Sequence, residues 1–214
     1  MLGFVVLHLA GNLLAFAGSG TFNAYARSLR ELGTPLVGDG ALLWLARVVL
    51  AGTLTLHLAA HAYLMREPTS PLSDVPTGAS GPFLESARYA PTPPWYATLP
   101  LAWLQVTGGL IAVFVAFHIA QLTIGATHPA FVPDDPYHNM VVALGFWPVS
   151  IAYILAAMAV GAHLLPGMWT GMRSLGLIRP GTEALAGTLS AVIPLVLVLS
   201  MAAAPLAVLT GIVR

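Results

Sequence analysis

Five long apolar runs dominate the chain, at about residues 1–17, 40–66, 99–125, 140–172 and 184–213. A helix needs about 20 such residues to cross roughly 30 Å of hydrocarbon, so runs of this length read as membrane spans. Lipid offers no partner to an unpaired backbone N–H or C=O, and each span must therefore be a helix. The expected fold is an all-α integral membrane protein, with five transmembrane helices in a single transmembrane domain covering residues 1–214. Only 7% of the residues are charged, against about 25% in an ordinary soluble domain. So few charges could not solvate a water-soluble enzyme. Pro148, Pro166, Pro194 and Pro205 fall inside spans, where the missing N–H is expected to kink a helix.

Three connectors hold most of the polar residues. Residues 18–39 carry Arg27, Arg30, Glu31 and Asp39; residues 67–98 are rich in Pro, Ser and Thr and expected to be irregular; residues 126–139 carry Asp134 and Asp135. Arg66, Arg88, Arg173 and Arg179 fall on one side of the membrane, and Arg27, Arg30 and Arg214 on the other. This small excess places the N-terminus inside. The first run ends in Ala15-Phe16-Ala17, a pattern also found at signal-peptide cleavage sites. No basic residue precedes it, and His8 and Asn12 interrupt it, so it reads as a span. Seventeen residues reach only about 25 Å, as if the helix began further upstream.

Zero net charge, with eight arginines and no lysine, leaves no basic field for nucleic acid. The absence of cysteine excludes disulfides, thiolate zinc sites, cysteine-held iron–sulfur clusters and covalent c-type haem. Seven histidines remain, and five lie within spans: His8, His57, His61, His118 and His163. Imidazole in a bilayer is costly and marks function, and histidine is an axial ligand of haem iron. For any one of them the alternative is a polar residue bonded between helices. Four on four separate helices form a pattern.

Depth sharpens that pattern. With the N-terminus inside, helices one and three run outward and helices two and four inward. His8 lies nine residues from the end of the first run, about 13 Å, and His118 seven residues before Gly125, about 10 Å. His57 lies nine residues before Arg66 and His163 ten before Arg173, each about 14 Å from the inner side. The four thus occupy two levels, each fed by two parallel helices. This is the arrangement of two stacked bis-histidine b haems in a four-helix bundle, with the fifth helix packed outside. Gly52, Gly108, Gly109 and Gly161 on the same helices permit close approach of a flat macrocycle, or equally ordinary small-residue helix packing. His57 and His61 share a helix face, but Leu58 stands where an HExxH zinc motif needs glutamate. His61 is a candidate for a haem propionate contact or a proton path.

Four segments resemble the cytochrome b membrane anchor of succinate dehydrogenase and fumarate reductase, in its single-chain, five-helix, dihaem form. They are His8-Leu-Ala-Gly-Asn12-Leu with Phe22-Asn23-Ala-Tyr25; Trp44-Leu-Ala-Arg47 with His57; Gly108-Gly109 through Phe117-His118 to Leu122-Thr123-Ile-Gly125; and Tyr137-His138-Asn139 with Gly161-Ala-His163-Leu, Gly167-Met-Trp169 and Leu175-Gly176. The likeness runs from about residue 2 to 178. It implies that His8 and His118 hold the iron of a distal haem, and His57 and His163 that of a proximal haem. It further implies partner flavoprotein and iron–sulfur subunits, quinone as substrate, and a bacterial cytoplasmic membrane location. A higher oligomer of the complex is compatible with it. No dicarboxylate or flavin site is visible in this chain, so that chemistry belongs to another subunit. Gln121 and Pro166 stand where many relatives have a second histidine, and Gly161 where some dihaem fumarate reductases carry a glutamate tied to proton transfer. The stretch Pro91 to Pro100 departs from the shorter connector of the family.

Further candidates surround these ligands. Arg47, about 15 Å outward of His57, is expected to meet a propionate rather than snorkel to the interface. Arg66 and Arg173 could serve proximal propionates or simply anchor the inner side. Glu31, Asp39, Tyr137 and His138 are outer-side quinone candidates, against a solvated-loop reading. Trp95, Tyr96 and Trp103 could flank a quinone on the inner side or form an aromatic belt. His128 has no assigned role. Two other functions compete: the cytochrome b anchor of a hydrogenase or formate dehydrogenase, and a non-haem transporter with a histidine-lined path. The His8-to-Asn12 and Tyr137-to-Asn139 motifs argue against the first. Against the second, no inverted repeat is visible.

Overall fold

The structure, a computed structural model, describes residues 1–66, 92–128 and 130–214. Among these residues the chain is helical and contains no strand. The helices are α1 (Leu2–Leu13), α2 (Ser19–Glu31), α3 (Ala41–Leu64), α4 (Leu101–His118), α5 (Pro136–Gly145), α6 (Trp147–Ser174) and α7 (Glu183–Leu209). Four segments are long and apolar enough to cross a membrane: Ala41–Tyr63, Leu101–Ile124, Trp147–Ser174 and Glu183–Leu209. The chain is an all-α, multi-pass membrane protein. The stop after Arg66 at Glu67 and Pro68, Arg88 and the rest of the connector up to residue 91 lie outside the described residues; the end of the connector, expected to be irregular, holds a 3-10 turn, Trp95–Thr98.

Two of the five expected spans take a different form. The first is shorter than the others: α1 runs into a 3-10 turn, Leu14–Ala17, and Gly18 ends it with φ at 87°. Behind it, α2 is a helix within the stretch read as a connector. Its polarity hides it from a search for apolar runs, but Phe22 and Tyr25 recur at helical spacing and give it a packing face. Tyr25 lies against Gly11 of α1, where a Cβ would come within 2.6 Å of the ring.

The fourth expected span is two helices, α5 and α6, broken at Phe146 (φ −83°, ψ 105°). Pro148 sits in the first turn of α6, where the missing N–H would have had no helical partner anyway. It starts a helix and does not kink one. Pro166, Pro194 and Pro205 do lie inside α6 and α7.

At the break, Ser150 Oγ donates to the Leu144 carbonyl at 2.5 Å. Each proline inside a helix leaves the carbonyl four residues earlier without its helical donor, and a side chain fills one of these gaps. Trp103 Nε1 of α4 donates to the Ala162 carbonyl at 2.9 Å, opposite Pro166. Trp103→Phe is therefore expected to cost about 1 kcal/mol. In a Pro166→Ala background the backbone supplies its own donor, so the same change should cost less. Unfolding titrations of the two single variants and the pair check this.

The chain divides into two compact units, one of Gly3–Arg27 with Thr92–Arg214, the other of Met1–Leu2 with Ser28–Pro91. In the first, α6 packs along both α4 and α7, and α5 packs on α6 and α7. Small residues line α6 where it is buried: Ala156, Ala157, Ala159 and Gly161. Without a hydrophobic driving force between helices in lipid, such residues let backbones approach and gain dispersion contact. One core cluster joins Ala15, Phe22, Tyr137, Met140, Leu144 and Ala207. In the second unit, α3 is the single long helix among the described residues.

Candidate functional site

His8 of α1 and His118 of α4 meet within the first unit, their ring centroids 5.8 Å apart and their planes at 89°. Phe4, one turn before His8, stacks on it at 5.4 Å; Phe114, one turn before His118, stacks on that ring at 5.9 Å. Two imidazoles that bind one metal ion from opposite sides, with metal–nitrogen bonds of about 2 Å, have ring centres roughly 6 Å apart. The pair has that separation. Among the described residues no third histidine, cysteine, aspartate or glutamate joins it to form a closed metal site.

A hydroxyl backs the His118 ring. Tyr153 of α6 has its Oη 3.2 Å from His118 Nδ1 and donates to Gln121 Oε1 at 3.0 Å. Gln121, at 4% exposure, is buried in the π-helical turn Ile119–Ile124 that continues α4. His163 of α6 faces α4: its Nδ1 lies 3.2 Å from Thr107 Oγ1, and a Cβ at Gly108 would come within 3.3 Å of its Cε1. Tyr153 and Thr107 were not among the sequence candidates. Their signal was the one that singled out the histidines, a polar side chain inside an apolar span.

His57, the other expected proximal ligand, stands on α3 in the second unit, with His61 one turn further along the same helix. Arg47 of α3 stacks its guanidinium over Trp44 at 4.9 Å. Arg66 lies just beyond α3, and Arg173 is in the last turn of α6, where it complements the helix dipole. Trp169, six residues beyond His163, buries its Nε1 without a partner among the described residues. An anionic or carbonyl oxygen would satisfy that donor.

Three of the four candidates expected on the outer side, Tyr137, His138 and Asp39, make hydrogen bonds within the fold. Tyr137 is buried and donates to the Arg214 carbonyl at 2.9 Å, and its backbone N–H donates to Asn23 Oδ1. His138 Nε2 lies 3.2 Å from the Ala130 carbonyl, and Asp39 Oδ1 accepts from Thr34 at 2.7 Å. Glu31 is exposed at the end of α2. His128 is buried with Nε2 2.9 Å from the Asn139 carbonyl, while Asn139 pairs through its side chain with both backbone groups of Val132. Trp95 is exposed, whereas Tyr96 donates to the Gly187 carbonyl at 2.8 Å and tethers its turn to α7.

Asp135 closes the outer cluster. It caps α5, accepting from the His138 N–H at 3.0 Å and from Asn23 Nδ2 at 2.9 Å. Those two donors hold its carboxyl below the usual carboxylate range. A depressed value in the fold means that the cap contributes fully above the unfolded value, near 4, and is lost as pH falls through the lower folded one. Asp135→Ala should cost about 1 kcal/mol, equally at pH 6 and pH 8, as read by thermal unfolding in detergent.

No family model, curated protein or solved structure matches the chain.

Proposed function

We propose that the chain is the dihaem cytochrome b anchor of a succinate dehydrogenase or fumarate reductase, passing electrons between a partner iron–sulfur subunit and membrane quinone. The observation that carries this reading is the facing pair His8 and His118, at a separation suited to two axial ligands on one ion. These two would hold the distal haem; His57 and His163 would hold the proximal one. Bound haem supplies one-electron transfer between ferric and ferrous iron. The residues of this chain orient the ligand rings, exclude water and anchor the complex in the membrane. Arg47, His61, Arg66, Arg173 and the indole N–H of Trp169 are candidates for the propionates. The proposed location is a bacterial cytoplasmic membrane, which rests on the resemblance, with the N-terminus inside, which rests on the arginine distribution.

A reduced-minus-oxidised spectrum with pyridine haemochrome quantitation tests the reading. Two b haems per chain are expected, and a protein without haem refutes it. Co-purification with a flavoprotein and an iron–sulfur protein separates this anchor from that of a hydrogenase or formate dehydrogenase.

A further inference from the structure

Two hydroxyls stand in the same relation to two histidines. Tyr153 Oη donates to Gln121 Oε1 and lies 3.2 Å from His118 Nδ1. Thr107 Oγ1 donates to the Trp103 carbonyl at 2.7 Å and lies 3.2 Å from His163 Nδ1. A hydroxyl has one proton to give. When that proton goes to the carbonyl oxygen, the hydroxyl oxygen accepts and Nδ1 carries the ring's N–H. The neutral imidazole then has its lone pair on Nε2. Gln121 and Thr107 are both buried, at 4% and 7% exposure.

We propose that Tyr153 with Gln121, and Thr107 with the Trp103 carbonyl, are positioning pairs that set the tautomer of His118 and His163 and present Nε2 as the ligand nitrogen. Gln121, unable to bind haem iron in place of a histidine, thereby acts on the ligand through Tyr153. An acceptor on Nδ1–H also makes the ring a stronger donor to a bound metal. Removing it should weaken the stabilisation of ferric iron and raise the potential of the haem concerned. That consequence rests on the proposed function; the tautomers do not.

The test has two arms. In the first, the full-length haem-free chain, labelled with nitrogen-15 histidine, is placed in nanodiscs and the ring nitrogens are read by NMR. His118→Gln and His163→Gln assign the two signals. Both rings should be Nδ1–H in the unchanged protein. Tyr153→Phe and Gln121→Leu should shift His118 alone towards a tautomer mixture, and Thr107→Val should shift His163 alone. Thr107→Ser, which keeps the hydroxyl, should restore it. An Nε2–H ring in the unchanged protein, or tautomers unmoved by Tyr153→Phe and Thr107→Val, overturns the proposal. In the second arm the haem-loaded protein is titrated potentiometrically. Tyr153→Phe should raise the midpoint potential of one haem and leave the other in place; two unmoved potentials overturn the tuning role. Absence of haem would refute the proposed function while the first arm still reads the tautomers.

Discussion

Replacing His118 with alanine should leave one of the two proposed b haems per chain, and His8→Ala should remove the same one. The two ring centroids lie 5.8 Å apart with their planes at 89°, and either ring alone would offer an iron only one axial bond. Loss of one ligand should therefore be nearly as damaging as loss of both. Residues that act on one partner are strongly non-additive, so His8→Ala with His118→Ala should still lose one haem and not two. The pair His8→Ala with His57→Ala should lose both. Haemochrome quantitation reads the count, and low-temperature spectra identify which haem is missing. Electron transfer to quinone should fall to background in each single variant. If His8→Ala and His118→Ala removed different haems, the pairing would be wrong.

The long spans were legible because their signal is local and additive: a run of about 20 apolar residues needs no knowledge of its neighbours. The short elements were not. A search for apolar runs passes over α2, because its Phe22 and Tyr25 sit among Ser, Asn and Arg. The break at Phe146 is a backbone choice within an unbroken apolar stretch. Pro148 was visible, but a proline reads alike as a kink or as a first turn until the preceding residues are placed. At the site, depth counting along single helices put His8 and His118 at one level, and the two rings do meet. It could not show what stands behind a ring. Tyr153 reaches His118 across 35 positions of sequence, and Thr107 reaches His163 across 56. The outer motif Tyr137-His138-Asn139 was visible for its polarity, but its hydrogen bonds serve to join α2, α5 and the chain's last residue.

Gly161→Leu should separate α6 from α7 and destabilise the protein by about 1–3 kcal/mol, the usual cost of overpacking. A Cβ at this position would overlap Val198 Cγ2 and lie 3.7 Å from the Pro194 carbonyl. The neighbour is thus a β-branched side chain, stiff at χ1 in a helix, with backbone behind it. Even Gly161→Ala should be costly while Val198 is intact. Val198→Ala opens the contact, and the double variant Gly161→Ala with Val198→Ala should regain most of the loss. Detergent unfolding curves of the single variants and the pair give the coupling directly; a simple sum of the two penalties would show that the helices do not meet there. The same geometry bears on proton transfer. Some dihaem fumarate reductases, whose anchor this sequence resembles, carry a glutamate at the corresponding position, but here it would be forced into Val198. Gly161→Glu should therefore destabilise at least as much as Gly161→Leu, because it adds an unpaired polar group to the same clash. A proton route through residue 161 would have to displace the contact that joins α6 to α7.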